Sequence, residues 1–127
     1  MPVTTYNAAT DLVDRHLAEG RAAKLACIDR SGSMTYGRLA EQVGRAASLF
    51  GTYDIARESR VALLLTDTVD FPVAFLGAIK AGVVPVALNT LLSTEQYAYM
   101  LADCRAKALV VSASLLPVVA PLMGRLP

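Results

Sequence analysis

The residues whose types suit chemistry lie just after the predicted strands. Asp67 and Asp70 follow an apolar run that ends at Leu65, and open α/β sheets place their ligand crevices at the carboxyl ends of strands. Two carboxylates in such a crevice would suit a small ligand or an ion. Thr68 and Asp70 are also residue types that cap the start of a helix, and capping is favoured over catalysis here.

Ser112 and Ser114 follow the last predicted strand and carry the same two interpretations, with capping again favoured. A phosphate-binding loop needs glycines or small hydroxyl residues whose N–H groups converge, usually beside a lysine. The nearest match is Ser31-Gly32-Ser33, which no lysine follows. We therefore interpret this tripeptide as a tight turn.

The other candidate residues indicate structure rather than chemistry. His16 is the single histidine and has no visible partner, so a surface or half-packed residue is expected. Cys27 and Cys104 match no metal or redox spacing and predict two buried free thiols. Tyr97 and Tyr99 are two residues apart on a predicted helix and cannot form one stacking platform. The sequence thus assigns no catalytic, cofactor-binding or metal-binding residue.

The composition excludes several classes of protein. Of the 127 residues, 54% are hydrophobic and 18% are charged, with a formal net charge of +1. This composition predicts one folded unit. A net charge close to zero gives no strong positive electrostatic potential that would attract nucleic acid. The apolar run 108–123 contains two serines and two prolines and is shorter than the roughly 18–20 residues of a membrane span. The N-terminal segment lacks a signal-peptide pattern, so a cytoplasmic protein is predicted.

Hydrophobic periodicity predicts the first elements. Apolar residues at helical spacing predict a helix over 7–19, and the short run 25–28 with an extended piece around Met34 predicts a hairpin. Thr35 is expected to cap a helix that ends near Phe50 and lies on a sheet.

Three later apolar runs, 60–65, 83–88 and 107–112, predict parallel strands covered on both faces. Two helical patterns separate them, the second opened by a Ser93 and Gln96 capping box. The fold class predicted is α/β: a three-layer, doubly wound, mostly parallel sheet with helices on both faces.

The tail, Leu115–Leu126, is strongly apolar and interrupted by Pro117 and Pro121. An apolar surface of this kind facing water is typical of an interaction site. We therefore expect a missing continuation of the chain, and possible self-association through this tail.

Several phrases, in the right order, resemble the start of the adenylate-forming superfamily of acyl- and aryl-CoA synthetases. They are MTYGRLAEQVGRAASLF (34–50), RVALLL (60–65) and DFPVAFLGAIKAGVVPVALNTLLSTEQYAYMLADCRAKALVV (70–111). Within that superfamily, benzoate-CoA ligases are most similar to three further phrases of the chain. These are the opening YNAATDLVDRHLAEGRAAKLACID (6–29), DTVDFPVAF and NTLLS. Thr90 stands where many relatives carry proline, and the likeness spans residues 6–117.

The resemblance implies that residues 1–127 are an N-terminal fragment of the large AMP-binding domain of such a ligase, without its C-terminal domain. In that family an aromatic carboxylic acid and ATP give an acyl-adenylate and pyrophosphate, and the thiol of coenzyme A then displaces AMP. The full-length enzyme would use ATP, Mg²⁺ and coenzyme A.

The reaction needs a phosphate loop with lysine, an acidic residue for the ribose, and a lysine from a mobile C-terminal domain. No position here matches these groups, so the fragment is expected to be inactive and to hold no cofactor. Two alternatives remain open. One is a freestanding α/β small-ligand-binding or receiver-like module that uses the Asp67–Asp70 crevice, and the other is an assembly piece that pairs through the tail.

Overall fold

The computed structural model describes residues 5–126 and contains an antiparallel hairpin and a three-stranded parallel sheet. In chain order the elements are a π-helical turn Thr10–Asp14, α1 Arg15–Ala18, β1 Leu25–Asp29, β2 Gly32–Thr35, α2 Tyr36–Thr52, β3 Arg60–Leu64, α3 Asp70–Lys80, β4 Val84–Ala87, α4 Thr94–Asp103, β5 Ala108–Val111, and α5 Leu116–Val119 between 3₁₀ turns Ala113–Leu115 and Ala120–Leu122. All three parallel strands lie inside their predicted ranges.

The parallel sheet has the order β4-β3-β5, with β3 at its centre. Side chains of β3 alternate between two apolar clusters, because successive residues of a strand point to opposite faces. Val61 and Leu63 pack with α3, whereas Ala62 and Leu64 pack with α4 and α5. Helices therefore cover both faces of β3, and the predicted three-layer α/β fold is confirmed.

Two predicted helix caps are confirmed. Thr35 Oγ1 accepts a hydrogen bond from the backbone N–H of Arg38 at 3.3 Å. Ser93 and Gln96 form the reciprocal capping box that starts α4, with distances of 2.9 and 3.3 Å. Each satisfies backbone N–H groups that have no partner within the helix.

The sequence predicted that α2 lies on a sheet. In the structure α2 packs mainly on α3 and also contacts the two-stranded hairpin. Its buried residues Leu39 and Val43 pack with Val73 and Leu76 of α3, and only Phe50 reaches the cluster beneath β3. An amphipathic stripe identifies the buried face of a helix but does not distinguish a sheet from another helix as its partner. Helix α3 is consequently enclosed between the sheet and α2.

The close approach of α2 and α3 depends on Gly77. A Cβ atom at this position would lie 2.5 Å from the Cβ of Ala46 and 3.3 Å from the carbonyl oxygen of Val43. Normal carbon–carbon contacts are about 3.5–4.0 Å. The missing side chain at Gly77 therefore allows the two helices to touch.

The N-terminal helical segment is tied to the far end of α3. The side chain of Asn7 accepts a hydrogen bond from Ala9 N–H at 3.0 Å and donates one to the Ile79 carbonyl at 2.9 Å. Lys80 Nζ lies 3.0 Å from Asp14 Oδ2. The side chain of Asn7 therefore joins the start of the N-terminal helical segment to the carbonyl end of α3.

The C-terminal segment folds back on the sheet and α4. Val119 and Leu122 are buried, and Thr94 Oγ1 donates to the Val118 carbonyl at 2.8 Å. The expectation that the whole tail presents an apolar surface is therefore wrong. Leu116 and Met123 remain exposed, at 46% and 56%.

Within residues 5–126, no helix is both long enough and apolar enough to cross a membrane.

Candidate functional site at the carboxyl edge of the sheet

Parallel strands place the segments after β3, β4 and β5 at one edge of the sheet. Ser112 Oγ accepts a hydrogen bond from the Thr66 N–H at 3.0 Å, and the two hydroxyl oxygens are 3.3 Å apart. The prediction that Ser112 caps a helix is wrong for its side chain, because the hydroxyl joins the ends of β3 and β5 instead. Ser114 lies exposed within the following 3₁₀ turn and is not its N-cap.

At the predicted Asp67–Asp70 crevice the structure has a hollow of about 300 Å³ between the hairpin and the start of α3. Asp67 is among its lining residues, and Asp70 is not. Both aspartates are exposed. Thr68 Oγ1 accepts a hydrogen bond from Asp70 N–H at 3.3 Å, so the capping interpretation holds for Thr68. Asp70 lies in the first turn of α3, where a negative charge stabilises the helix dipole.

Asp29, which the sequence did not single out, is the most connected polar side chain at this hollow. Its Oδ1 accepts hydrogen bonds from the N–H groups of Ser31 at 2.7 Å and Gly32 at 3.2 Å. Its Oδ2 accepts a third from Val69 N–H at 2.9 Å. An aspartate that lies two residues before the Ser31-Gly32 turn predicts the first two contacts. No local signal predicts the third, because Val69 lies 40 positions away in the sequence.

These contacts change the electrostatics of the hollow. The hydrogen bond from Val69, followed by those from Ser31 and Gly32, lowers the pKa of the Asp29 carboxyl, because each favours the charged form. Burial, with a contribution from Asp29, raises the pKa of the Cys27 thiol. A nucleophilic cysteine needs a lowered pKa, so Cys27 is not activated here.

The Ser31-Gly32-Ser33 segment is the turn that the sequence predicted. The N–H groups of Ser31 and Gly32 already donate to the Asp29 carboxylate. A phosphate would need such N–H groups to converge on it. This turn is therefore unsuited to hold a nucleotide.

The other candidates behave as structural residues. His16 is half-buried, accepts a hydrogen bond from Arg21 at 2.9 Å and packs its ring on Tyr36. Cys27 and Cys104 are both free, as predicted, but are partly rather than fully buried.

Tyr97 and Tyr99 lie on different sides of α4, as predicted. Tyr97 is fully buried and Tyr99 is 72% exposed. The Tyr97 hydroxyl donates to the Asn89 carbonyl at 2.7 Å and accepts from Leu92 N–H at 3.3 Å. Tyr97 thereby fixes the loop between β4 and α4.

Among residues 5–126, no three His, Cys, Asp or Glu side chains converge in a way that could hold a metal ion. The carboxyl edge offers exposed carboxylates and a hydroxyl pair. These groups can donate or accept hydrogen bonds.

Comparison with known proteins identifies the family. The family described as AMP-binding enzyme matches residues 14–126. The chain belongs to this family. The resemblance to adenylate-forming ligases that the sequence phrases predicted is thus confirmed.

Several of the similar proteins with known names are aryl-CoA ligases. The chain is 47% identical over 127 residues to the 4-hydroxybenzoate–CoA/benzoate–CoA ligase of Rhodopseudomonas palustris, covering 100% of this chain and 24% of that protein. It is 50% identical over 123 residues to the benzoate–CoA ligase of Thauera aromatica, covering 96% and 23%. The crystal structure of a benzoate CoA ligase from Burkholderia xenovorans LB400 superposes with a TM-score of 0.90 at 44% identity, covering 94% and 24%. The chain thus spans about a quarter of the length of these relatives.

Proposed function

We propose that this chain is the N-terminal part of an ATP-dependent aryl-acid CoA ligase of the benzoate type. Residues 1–127 would form the first portion of its large AMP-binding domain. The observation that carries the proposal is similarity along the whole chain, at 47% identity, to a protein named for benzoate and 4-hydroxybenzoate. The freestanding, receiver-like alternative gains no comparable support.

The whole enzyme would join an aromatic carboxylic acid to ATP, forming an acyl-adenylate and releasing pyrophosphate. The thiol of coenzyme A would then attack the acyl carbon and release AMP, giving the aryl-CoA thioester. ATP, Mg²⁺ and coenzyme A are the cofactors proposed for it, and a cytoplasmic location is part of the same proposal.

Among residues 5–126, no site is assigned to the phosphate groups or the metal of that reaction. The turn N–H groups of Ser31 and Gly32 bind Asp29, and the described acidic side chains form no three-ligand cluster. We therefore assign this segment no chemical step. Its proposed contribution is a rigid layer of helices and strands that supports the rest of the domain.

A segment exchange tests the assignment. Residues 1–127 would replace the matching segment of the Rhodopseudomonas palustris ligase, to which they are 47% identical. We expect the chimera to catalyse benzoate-dependent exchange of pyrophosphate into ATP, as the parent enzyme does. A chimera that folds, judged by circular dichroism, but exchanges no pyrophosphate would refute the assignment.

A matched variant checks that the exchanged segment must be folded. Leu63 of β3 is fully buried, and an aspartate at this position would bury an unpaired charge. The Leu63→Asp chimera should therefore lose both its thermal transition and its activity.

The isolated chain tests the proposed division of labour. We expect the purified 127-residue chain to show no pyrophosphate exchange with benzoate and no saturable binding of ATP in calorimetry. Turnover by this chain alone would show that the reactive groups lie within it.

A further inference from the structure

The hairpin formed by β1 and β2 contacts the carboxyl edge of the sheet through one polar link. Among the hydrogen bonds of residues 5–126, only the one from Val69 N–H to Asp29 Oδ2, at 2.9 Å, joins the hairpin to the chain beyond residue 60. Around this link lies the hollow of about 300 Å³ described above. The hairpin and α3 also share an apolar cluster, which includes Cys27, Met34 and Val73, and Asp29 adds the polar contact beside it.

The start of α3 is held by a side chain from outside its own segment as well as by one within it. Its N-cap residue is Val69, which provides no side-chain acceptor, whereas α2 and α4 are capped by Thr35 and Ser93 from their own segments. A helix start leaves several N–H groups without partners inside the helix. At α3, Thr68 Oγ1 accepts from the Asp70 N–H, and Asp29 of the hairpin accepts from the N–H of Val69 itself.

We propose that Asp29 is a positioning residue, which fixes the segment 66–69 between β3 and α3 to the hairpin turn, so that the two hold one geometry at the carboxyl edge of the sheet. The two carboxylate oxygens divide this task. Oδ1 closes the hairpin turn and Oδ2 holds the start of α3. The inference concerns the chain itself and does not depend on the proposed reaction.

The charge on Asp29 is essential to this role. A carboxylate can accept hydrogen bonds at both oxygens, and hydrogen bonds to a charged acceptor are the stronger ones. The other titratable groups at the hollow are Asp67 and Cys27, with Asp70 in the first turn of α3. None of these three groups is a cation that could pair with the Asp29 carboxylate.

The substitution Asp29→Asn separates the two contacts. An asparagine retains one carbonyl oxygen for the turn N–H groups, as in an Asx-turn, but presents an NH₂ group to the Val69 N–H. In the full 127-residue chain we expect the hydrogen-exchange rate of the Val69 amide, relative to that of Leu63 in β3, to rise by about tenfold or more. The relative rates of Ser31 and Gly32 should remain close to those of the unaltered chain.

Two further variants complete the test. Asp67→Asn alters an exposed carboxylate at the same hollow and should leave the Val69 ratio unchanged. Asp29→Ala removes both acceptors and should raise the ratios of Ser31, Gly32 and Val69 together. An unchanged Val69 ratio in Asp29→Asn, or an equal rise in Asp67→Asn, would overturn the proposal.

The pH dependence provides a readout that simple packing would not give. Because the pKa of Asp29 is lowered, the link is present at neutral pH and should be lost only as the pH falls through that lowered value. In the NMR spectrum the Val69 amide proton should follow this titration in the unaltered chain and not in Asp29→Asn. A Val69 signal that titrates alike in both chains would contradict the proposed role.

Discussion

The contact between α2 and α3 gives the sharpest test of how this fold is held together. In Gly77→Ala the new Cβ would lie 2.5 Å from the Cβ of Ala46, which is about 1 Å inside a normal carbon–carbon contact. The neighbours are not the flexible ends of long side chains, because the next nearest atoms are the backbone oxygen of Val43 and nitrogen of Ala47, at 3.3 and 3.4 Å. The two helices must therefore separate.

Two opposing effects set the change in the free energy of unfolding that Gly77→Ala causes. Overpacking of a close contact costs about 1–3 kcal/mol. Replacing a helical glycine by alanine returns about 0.5–1 kcal/mol through backbone entropy. From the middle of each range, the free energy of unfolding should fall by about 1 kcal/mol, and the melting temperature by a few degrees in a domain of this size.

Urea unfolding followed by circular dichroism would measure this difference, with Gly44→Ala as the matched control. Gly44 also lies inside a helix, but a Cβ there would meet no atom within 4 Å. The control should therefore be stabilised by about 0.5–1 kcal/mol. In an Ala46→Gly background, Gly77→Ala should lose most of its cost, because the opposing methyl group is absent. A Gly77→Ala chain as stable as the unaltered one would refute the close-contact account.

Three further substitutions test other contacts by urea unfolding. Asn7→Asp keeps an acceptor for its own helix but loses the hydrogen bond to the Ile79 carbonyl, so stability should fall by about 1–2 kcal/mol; an unchanged midpoint would contradict this. Tyr97→Phe removes a buried hydroxyl that donates to the Asn89 carbonyl and should cost about 1–2 kcal/mol, with little effect expected from exposed Tyr99→Phe. Arg105 follows α4 with φ of 52°, so Arg105→Gly should stabilise the chain by about 0.5–1 kcal/mol; a loss of stability would count against strain there.

The parallel strands were predictable because each is short, apolar and separated from the next by a helical pattern. A strand with both faces covered has no polar alternation, and β3 follows this rule from Val61 to Leu64, where all four residues are fully buried. The caps at Thr35 and Ser93 were predictable for a different reason. A capping side chain bonds an N–H three residues away, so the signal lies within one short segment.

The contacts at the candidate site were not predictable, because they join residues distant in the sequence. Asp29 bonds to Val69 across 40 positions, and Ser112 to Thr66 across 46. A serine or aspartate beside a helix start looks the same whether it caps that helix or binds another strand. The sequence therefore singled out Ser112 but predicted the wrong hydrogen-bond partner for it. It did not predict the role of Asp29.

The tail shows how prolines alter the meaning of an apolar run. The run containing Pro117 and Pro121 forms short α and 3₁₀ turns, which lets Val119 and Leu122 turn inward onto α4 and the sheet. The self-association predicted through this tail is left with Leu116 and Met123 as its exposed large residues.

The polar groups at the carboxyl edge explain why a supporting role is the consistent interpretation of this segment. The Thr66 N–H is bound to Ser112, and the Val69 N–H is bound to Asp29. An anionic ligand at this edge would have to displace these internal acceptors, including a carboxylate already in place, and would leave the displaced groups unpaired. Donors that stabilise the fold in this way are not free to stabilise a reacting phosphate, which agrees with the supporting role proposed for this segment.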